Sequence, residues 1–225
     1  TPIHQDIGTI GEAQAARKLV QNQGVEVLLN VAHNYMAYRD WILGYIEDHG
    51  KPMMPSVHGG AIDRQYGGTA EEPMFRGAPM DTTQGVAAAL YADRQDASTV
   101  VTIAAETAGM QHQQDAAAGA AEELGMTVAA NIDIQPEQSS YRSAVSKAQG
   151  ENPDALLVFA PAVEGGTIVK NAAEIGMSAL IIGATDWLFE DFPETATMSA
   201  INQHEDVLAV GFTHADTQAW TFYKE

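Results

Sequence analysis

Two short apolar runs, "DALLVFA" (154–160) and "ALIIGA" (179–184), lie close together in the chain. Near-continuous apolar runs of this length are the pattern of strands covered on both faces. Between them, "EGGTIVKNAAEIG" puts Ile168, Val169, Ala172 and Ile175 on one helical face and ends at Gly176, which suits the position just past a helix. The pattern predicts strand–helix–strand, with the strands parallel and joined by a right-handed crossover. The same alternation extends upstream. "STVVTIAA" (98–105) predicts a buried strand and "QHQQDAAAGAAEELG" (111–125) a helix ending at Gly125. "MTVAANIDI" then reads as a strand and "SSYRSAVSKAQG" as a helix, so residues 81–183 predict a doubly wound parallel sheet.

A similar phrase occurs earlier. Helix, strand "VEVLLNV" (25–31), helix (about 35–48), Gly50 and strand "PMMPSV" repeat the order and spacing of the later segment. Such a repeat predicts two similar α/β lobes rather than one sheet. Asp81 to Gln84 and Thr9 to Glu12 have capping-box spacing ahead of helical stretches. Residues 59–74 are Gly-rich and lack periodicity, so they predict a surface loop.

Charge narrows the function classes. Thirty acids against eleven bases give a formal −19. That disfavours a nucleic-acid partner, which needs clustered Lys/Arg, and docking on an anionic membrane through a basic face. The acidity fits a solvated surface or adaptation to high salt. With no cysteine there is no disulfide and no thiolate metal site. No apolar run approaches the roughly 18–20 residues of a membrane span. There is no glycine-rich dinucleotide fingerprint after a strand, no Walker loop and no nucleophile elbow, so neither a cofactor nor an enzymatic reaction is expected. His33 and His58 invite a metal reading, but no metal-binding spacing accompanies them. The chain opens without Met at "TPIHQDIG", which suggests an internal piece of a longer precursor with its targeting segment upstream.

The phrases "AARKLVQNQGVEVLLNV", "MFRGAPMDTTQGVAAALYA", "VVTIAAETAGM", "NPDALLVFAPA" and "AAEIGMSALIIGATDW", in this order, resemble a known family. It is the solute-binding proteins of the type 1 periplasmic-binding fold, in the branch serving branched-chain amino acids and related ligands. The resemblance implies two doubly wound lobes. Lobe 1 would be residues 1–79, with 214–225 returning to it, and lobe 2 residues 80–213. It also implies that lobe 1 is incomplete here, lacking an opening strand–helix–strand unit and a C-terminal part. The implied activity is capture of a small polar ligand, such as an amino acid, by hinge closure, for an ABC permease and its ATPase at the outer face of a membrane. Two alternatives stay open: a ligand-sensing domain of a receptor or transcription regulator with the same fold, and a Rossmann-like enzyme.

In open parallel sheets, ligands bind beyond the carboxyl ends of the strands. That rule selects "AHNY" (32–35), "SVHGG" (56–60), "ETAGM" (106–110), "APAVE" (160–164) and "ATDW" (184–187). Asp186, just past a buried strand, can pair with a ligand ammonium, or else cap a helix over "WLFEDF". In "SVHGG", Val57, His58 and Gly59 could bring backbone N–H groups to a carboxylate. Pro161 and Ala162 line the loop after "DALLVFA", and Trp187 could stack on a ligand or anchor the core. The resemblance adds roles for three more residues. His33 and Asn34 stand where the family has small hydroxyl residues for the ligand carboxylate, and Gly109 lies where it often has a lid tyrosine.

Overall fold

In a computed structural model the chain is described over residues 2–6, 10–29, 35–56, 66–77, 79–204 and 207–211. It divides into two compact units, Thr1–Asp81 and Thr82–Glu225.

In the first unit, helix α1 (Glu12–Arg17) widens into a π turn over Lys18–Asn22. A 3-10 turn at Tyr35–Ala37 leads into α2 (Arg39–His49). That helix ends at Gly50, whose φ of 68° is the left-handed conformation glycine adopts without a Cβ penalty. Strand β1 (Met54–Ser56) pairs in parallel with β2 (Met74–Arg76). Segment 25–29 lies along the other side of β1. Leu28 N–H donates to Met53 O at 2.8 Å, and Met53 N–H to Glu26 O at 3.0 Å.

This register sets Leu28, Met54 and Met74 in one buried row, packed with Val20, Ile42 and Ile46 from the helices. Alternation along strands sends Val27, Leu29, Met53 and Phe75 to the opposite face, where they are 42% to 68% exposed. Within 59–74, the described residues do not form a plain surface loop. Glu72 is buried and Met74 opens a strand, because three residues are too short to show a period.

The second unit realises the winding that the periodicity predicts. Helix α3 (Thr82–Arg94) is followed by β3 (Thr99–Ala105), α4 (Ala108–Glu123), β4 (Thr127–Ile134) and α5 (Arg142–Gly150). Next come β5 (Ala155–Phe159), α6 (Ala162–Glu174) and β6 (Leu180–Gly183). A 3-10 turn at Thr185–Leu188, α7 (Asp191–Ala196), α8 (Met198–Ile201) and β7 (Val207–Ala209) complete it.

All five strands are parallel, in the order β4–β3–β5–β6–β7. The apolar runs are continuous because both faces are covered. Val101, Ile103, Leu156, Val158 and Ile181 join the core beneath α5 and α6. Val100, Ala104, Ala155, Leu157, Phe159 and Ile182 join the core beneath α3 and α4. A polar pair also sits in the sheet, with Thr102 Oγ1 donating to Asn131 Oδ1 at 2.7 Å. Among the described residues no helix is long and apolar enough to cross a membrane.

Candidate ligand-binding site

Strand order locates the site in the second unit. The order changes direction between β3 and β5, and crevices of open α/β sheets form outside the carboxyl ends of strands at such a switch point. The loop after β3 runs Glu106–Thr107 into α4, whose first turn carries half-buried Gly109. The loop after β5 is Ala160–Pro161, with Pro161 as N-cap of α6 and Ala162 as its first residue. Both helices therefore begin at this edge of the sheet, where their first N–H groups lack intrahelical partners and form the positive ends of the helices.

Neighbouring side chains tie these loops down. Glu106 Oε2 accepts from Gln135 Nε2 at 2.5 Å. Glu164, buried in the first turn of α6, accepts the Glu137 N–H at 3.0 Å.

The turn after β6 carries the acid. Asp186 is half-buried inside the 3-10 turn, between Thr185 and Trp187. It does not hold the N-cap position of α7, which belongs to Glu190. The helix expected over "WLFEDF" is interrupted after Leu188, so the capping role considered for Asp186 has no helix to serve at that point.

Trp187 is 4% exposed, stacks on Phe192 with ring centroids 4.4 Å apart, and donates its Nε1–H to Ala160 O at 3.2 Å. Gly165 and Gly183 are glycines for this reason: a Cβ at either would collide with the indole. The side chain thus acts as packing directly behind the acid.

Gln84, expected to close a capping box with Asp81, turns elsewhere. Its Oε1 accepts from Thr185 N–H at 2.8 Å and from Thr185 Oγ1 at 2.6 Å. A buried amide oxygen aimed at the turn that carries Asp186 leaves no periodic trace, so the sequence hid this link. Thr185, like Gln84, was missed there.

Asp186, Gly109, Pro161, Ala162 and Trp187 all lie at the carboxyl edge of this one sheet. His33, Asn34, Val57, His58 and Gly59 lie outside the described residues.

In the first unit Tyr35, Arg39, Tyr66 and Glu72 form an ionic cluster that the sequence did not reveal. Arg39 grips Glu72 through two bonds, Nε to Oε1 and Nη2 to Oε2, both 2.8 Å. Tyr35 Oη donates to Glu72 Oε1 at 2.8 Å, and the guanidinium lies 4.5 Å from the Tyr66 ring centroid. Arg39 holds the Glu72 carboxyl below the ordinary carboxylate range, outweighing the opposite effect of burial. Burial, reinforced by Glu72, pushes the Tyr35 hydroxyl well above its ordinary value.

Two hollows also open in the first unit, of about 1100 and 930 Å³. One lies beside Pro52, Met53 and Pro73 at the amino ends of β1 and β2, and the other along the outer edge of segment 25–29. The first is not at the carboxyl ends of strands, where open sheets bind ligands, and the second runs the length of segment 25–29. Among the described residues no group of three or more His, Asp or Glu is arranged to hold a metal.

A family model described as periplasmic binding protein matches residues 11–197, most of the chain. The chain belongs to the periplasmic binding protein family.

Solved structures share the fold at low identity. A leucine-binding protein from Thermotoga maritima is 19% identical with a TM-score of 0.74, over 94% of this chain and 59% of its own. An extracellular ligand-binding receptor from Rhodopseudomonas palustris HaA2 is 18% identical with a TM-score of 0.72, over 88% of this chain and 55% of its own. An ABC transporter solute-binding protein from R. palustris, solved with 4-hydroxybenzoate, is 14% identical with a TM-score of 0.65, over 85% of this chain and 52% of its own. This family member therefore spans little more than half the length of these relatives. No curated protein matches it in sequence.

Proposed function

We propose that this chain belongs to an extracytoplasmic solute-binding protein that captures a small polar ligand, an amino acid in the first instance, and delivers it to an ABC permease. One observation carries the reading beyond the family. A half-buried acid, Asp186, stands in a turn at the carboxyl edge of a parallel sheet, against α6 and on the same edge from which α4 starts. An acid in a partly dry setting pairs strongly with an ammonium. Helix N-terminal amides and glycine-rich loops complement a carboxylate. An amino acid presents both groups.

In this reading Asp186 holds the ammonium, and Gly109, Pro161 and Ala162 form the wall beside it. Trp187 supports the turn from behind. Asn34, His33 and the Val57–His58–Gly59 backbone meet the ligand carboxylate from the other lobe, lobe 1 being residues 1–79 and lobe 2 residues 80–213. Closure is a population shift: the ligand bridges both lobes and so favours the closed state. Moving the closed fraction from 1% to 99% takes about 5.5 kcal/mol of differential affinity, within reach of a few charge-assisted bonds and some apolar burial. No covalent step is involved.

Thermal-shift screening of the complete protein against amino acids, with nucleotides as controls, tests the reading. Stabilisation by an amino acid that Asp186→Ala abolishes is the expected result. Stabilisation by nucleotides alone contradicts it.

A further inference from the structure

The turn that carries Asp186 is clamped from both layers of the second unit. On the α6 side, Trp187 is locked by its bond to Ala160 O, by Phe192, and by contact with Gly165 and Gly183. On the α3 side, Gln84 takes both donors of Thr185 on one oxygen, the N–H at 2.8 Å and the hydroxyl at 2.6 Å. Thr185 Oγ1 also lies 3.0 Å from Val210 O, and Val210 N–H donates to Gly183 O at 2.9 Å. The hydroxyl has one proton, so Gln84 and Val210 compete for it, and the shorter distance favours Gln84.

From these contacts we infer that Gln84 is a positioning residue for the ligand-ammonium subsite. It acts through Thr185 to fix where the Asp186 carboxylate stands, an inference that rests on the function proposed above. Gln84 is 6% exposed, and burying an amide is unfavourable unless its partners are well placed. An apolar residue would fill the same space without that cost. A polar one earns its place only where direction matters, and here Thr185 and Asp186 are both half-buried and cannot be fixed by packing alone.

The helix that presents Gln84 is itself held closely. A Cβ on Gly85 would collide with Gln113 O, so α3 and α4 approach backbone to backbone one residue further on. The amide therefore projects from a rigid mount. Residue 84 also lies just inside the start of the second unit, at Thr82, and Val210 just beyond β7, so the latch joins the acid's turn to both of those chain segments.

Three variants of the complete protein test this. Gln84→Met keeps length and removes the acceptor, Gln84→Glu keeps an acceptor for both bonds, and Asp186→Asn is the reference. The first readout is hydrogen exchange at the Thr185 amide. Gln84→Met should speed it by roughly tenfold or more while β5 amides stay unchanged, and Gln84→Glu should restore protection. Unchanged Thr185 exchange in Gln84→Met overturns the inference.

The second readout is the ratio of Kd values for L-leucine and 4-methylpentanoate, the same skeleton without the amine. A merely structural role weakens both ligands alike and leaves the ratio fixed. Positioning of the acid collapses the ratio in both Gln84→Met and Asp186→Asn, by roughly tenfold in the first. Collapse in Asp186→Asn alone overturns the role of Gln84 and spares the function proposed above. No change in Asp186→Asn, or no leucine binding by the parent protein, overturns the ammonium reading and the subsite inference with it. If Gln84→Met does not fold, Thr185→Val removes only the hydroxyl and should move both readouts the same way by a smaller factor.

Discussion

Glu72 sits 8% exposed in a stretch whose composition suggests an open loop, and its partners explain the burial. Two parallel bonds from Arg39 and one from Tyr35 satisfy both carboxylate oxygens. Removing one member of such a pair leaves a buried charge uncompensated. Arg39→Met is therefore expected to destabilise the first unit by about 3 kcal/mol in urea denaturation, and Glu72→Gln by less, because it leaves no buried carboxylate. The pH dependence follows from the lowered Glu72 value. Its stabilisation is present above the ordinary carboxyl value of 4.5 and is lost as pH falls below that towards the depressed folded value. Glu72→Gln should remove that acid-side component.

His204 runs differently. It is 7% exposed, and neither ring nitrogen has a hydrogen-bond partner among the described residues. Burial lowers its pKa below 6.5. The unfolded chain then takes up the proton first, so stability holds above pH 6.5 and falls as pH drops below it. His204→Leu should flatten that slope in thermal melts between pH 8 and about pH 5.

At the scale of elements, the turn after β6 shows how small residues place a large one. Trp187 fills the space that Gly165 in α6 and Gly183 in β6 leave open. Gly183→Ala should push the indole out, lowering stability by about 3 kcal/mol and red-shifting tryptophan emission. The periodicities that predict strands and helices in the second unit worked because buried parallel strands and amphipathic helices leave long, regular signals. β2 left none, being three residues whose partner lies in β1. The capping spacings did not reveal the longer-range partners of Glu12 and Gln84. Glu12 accepts from Tyr38 Oη at 2.7 Å and Gln84 from Thr185, both tertiary contacts that local spacing cannot anticipate. In the second unit the loops beyond the carboxyl ends were legible as a class, because the open-sheet rule needs only strand order. Which side chains fix those loops was not, since that depends on residues about a hundred positions apart.

For the whole molecule, a formal net charge of −19 on 225 residues means strong self-repulsion. Added salt screens it, with a Debye length near 10 Å at 0.1 M and about 3 Å at 1 M. The melting temperature should rise by several degrees from low salt to about 1 M NaCl, with a chloride and a sulfate series separating screening from ion-specific effects. The account rests on a bound ammonium meeting the Asp186 carboxylate. A crystal structure of the complete protein grown with L-leucine tests that directly. The expected result is an Asp186 oxygen about 3 Å from the ligand nitrogen, with the ligand lying against Gly109 and Pro161. A ligand bound away from the β3, β5 and β6 carboxyl ends, or with its ammonium held by other groups, would contradict it.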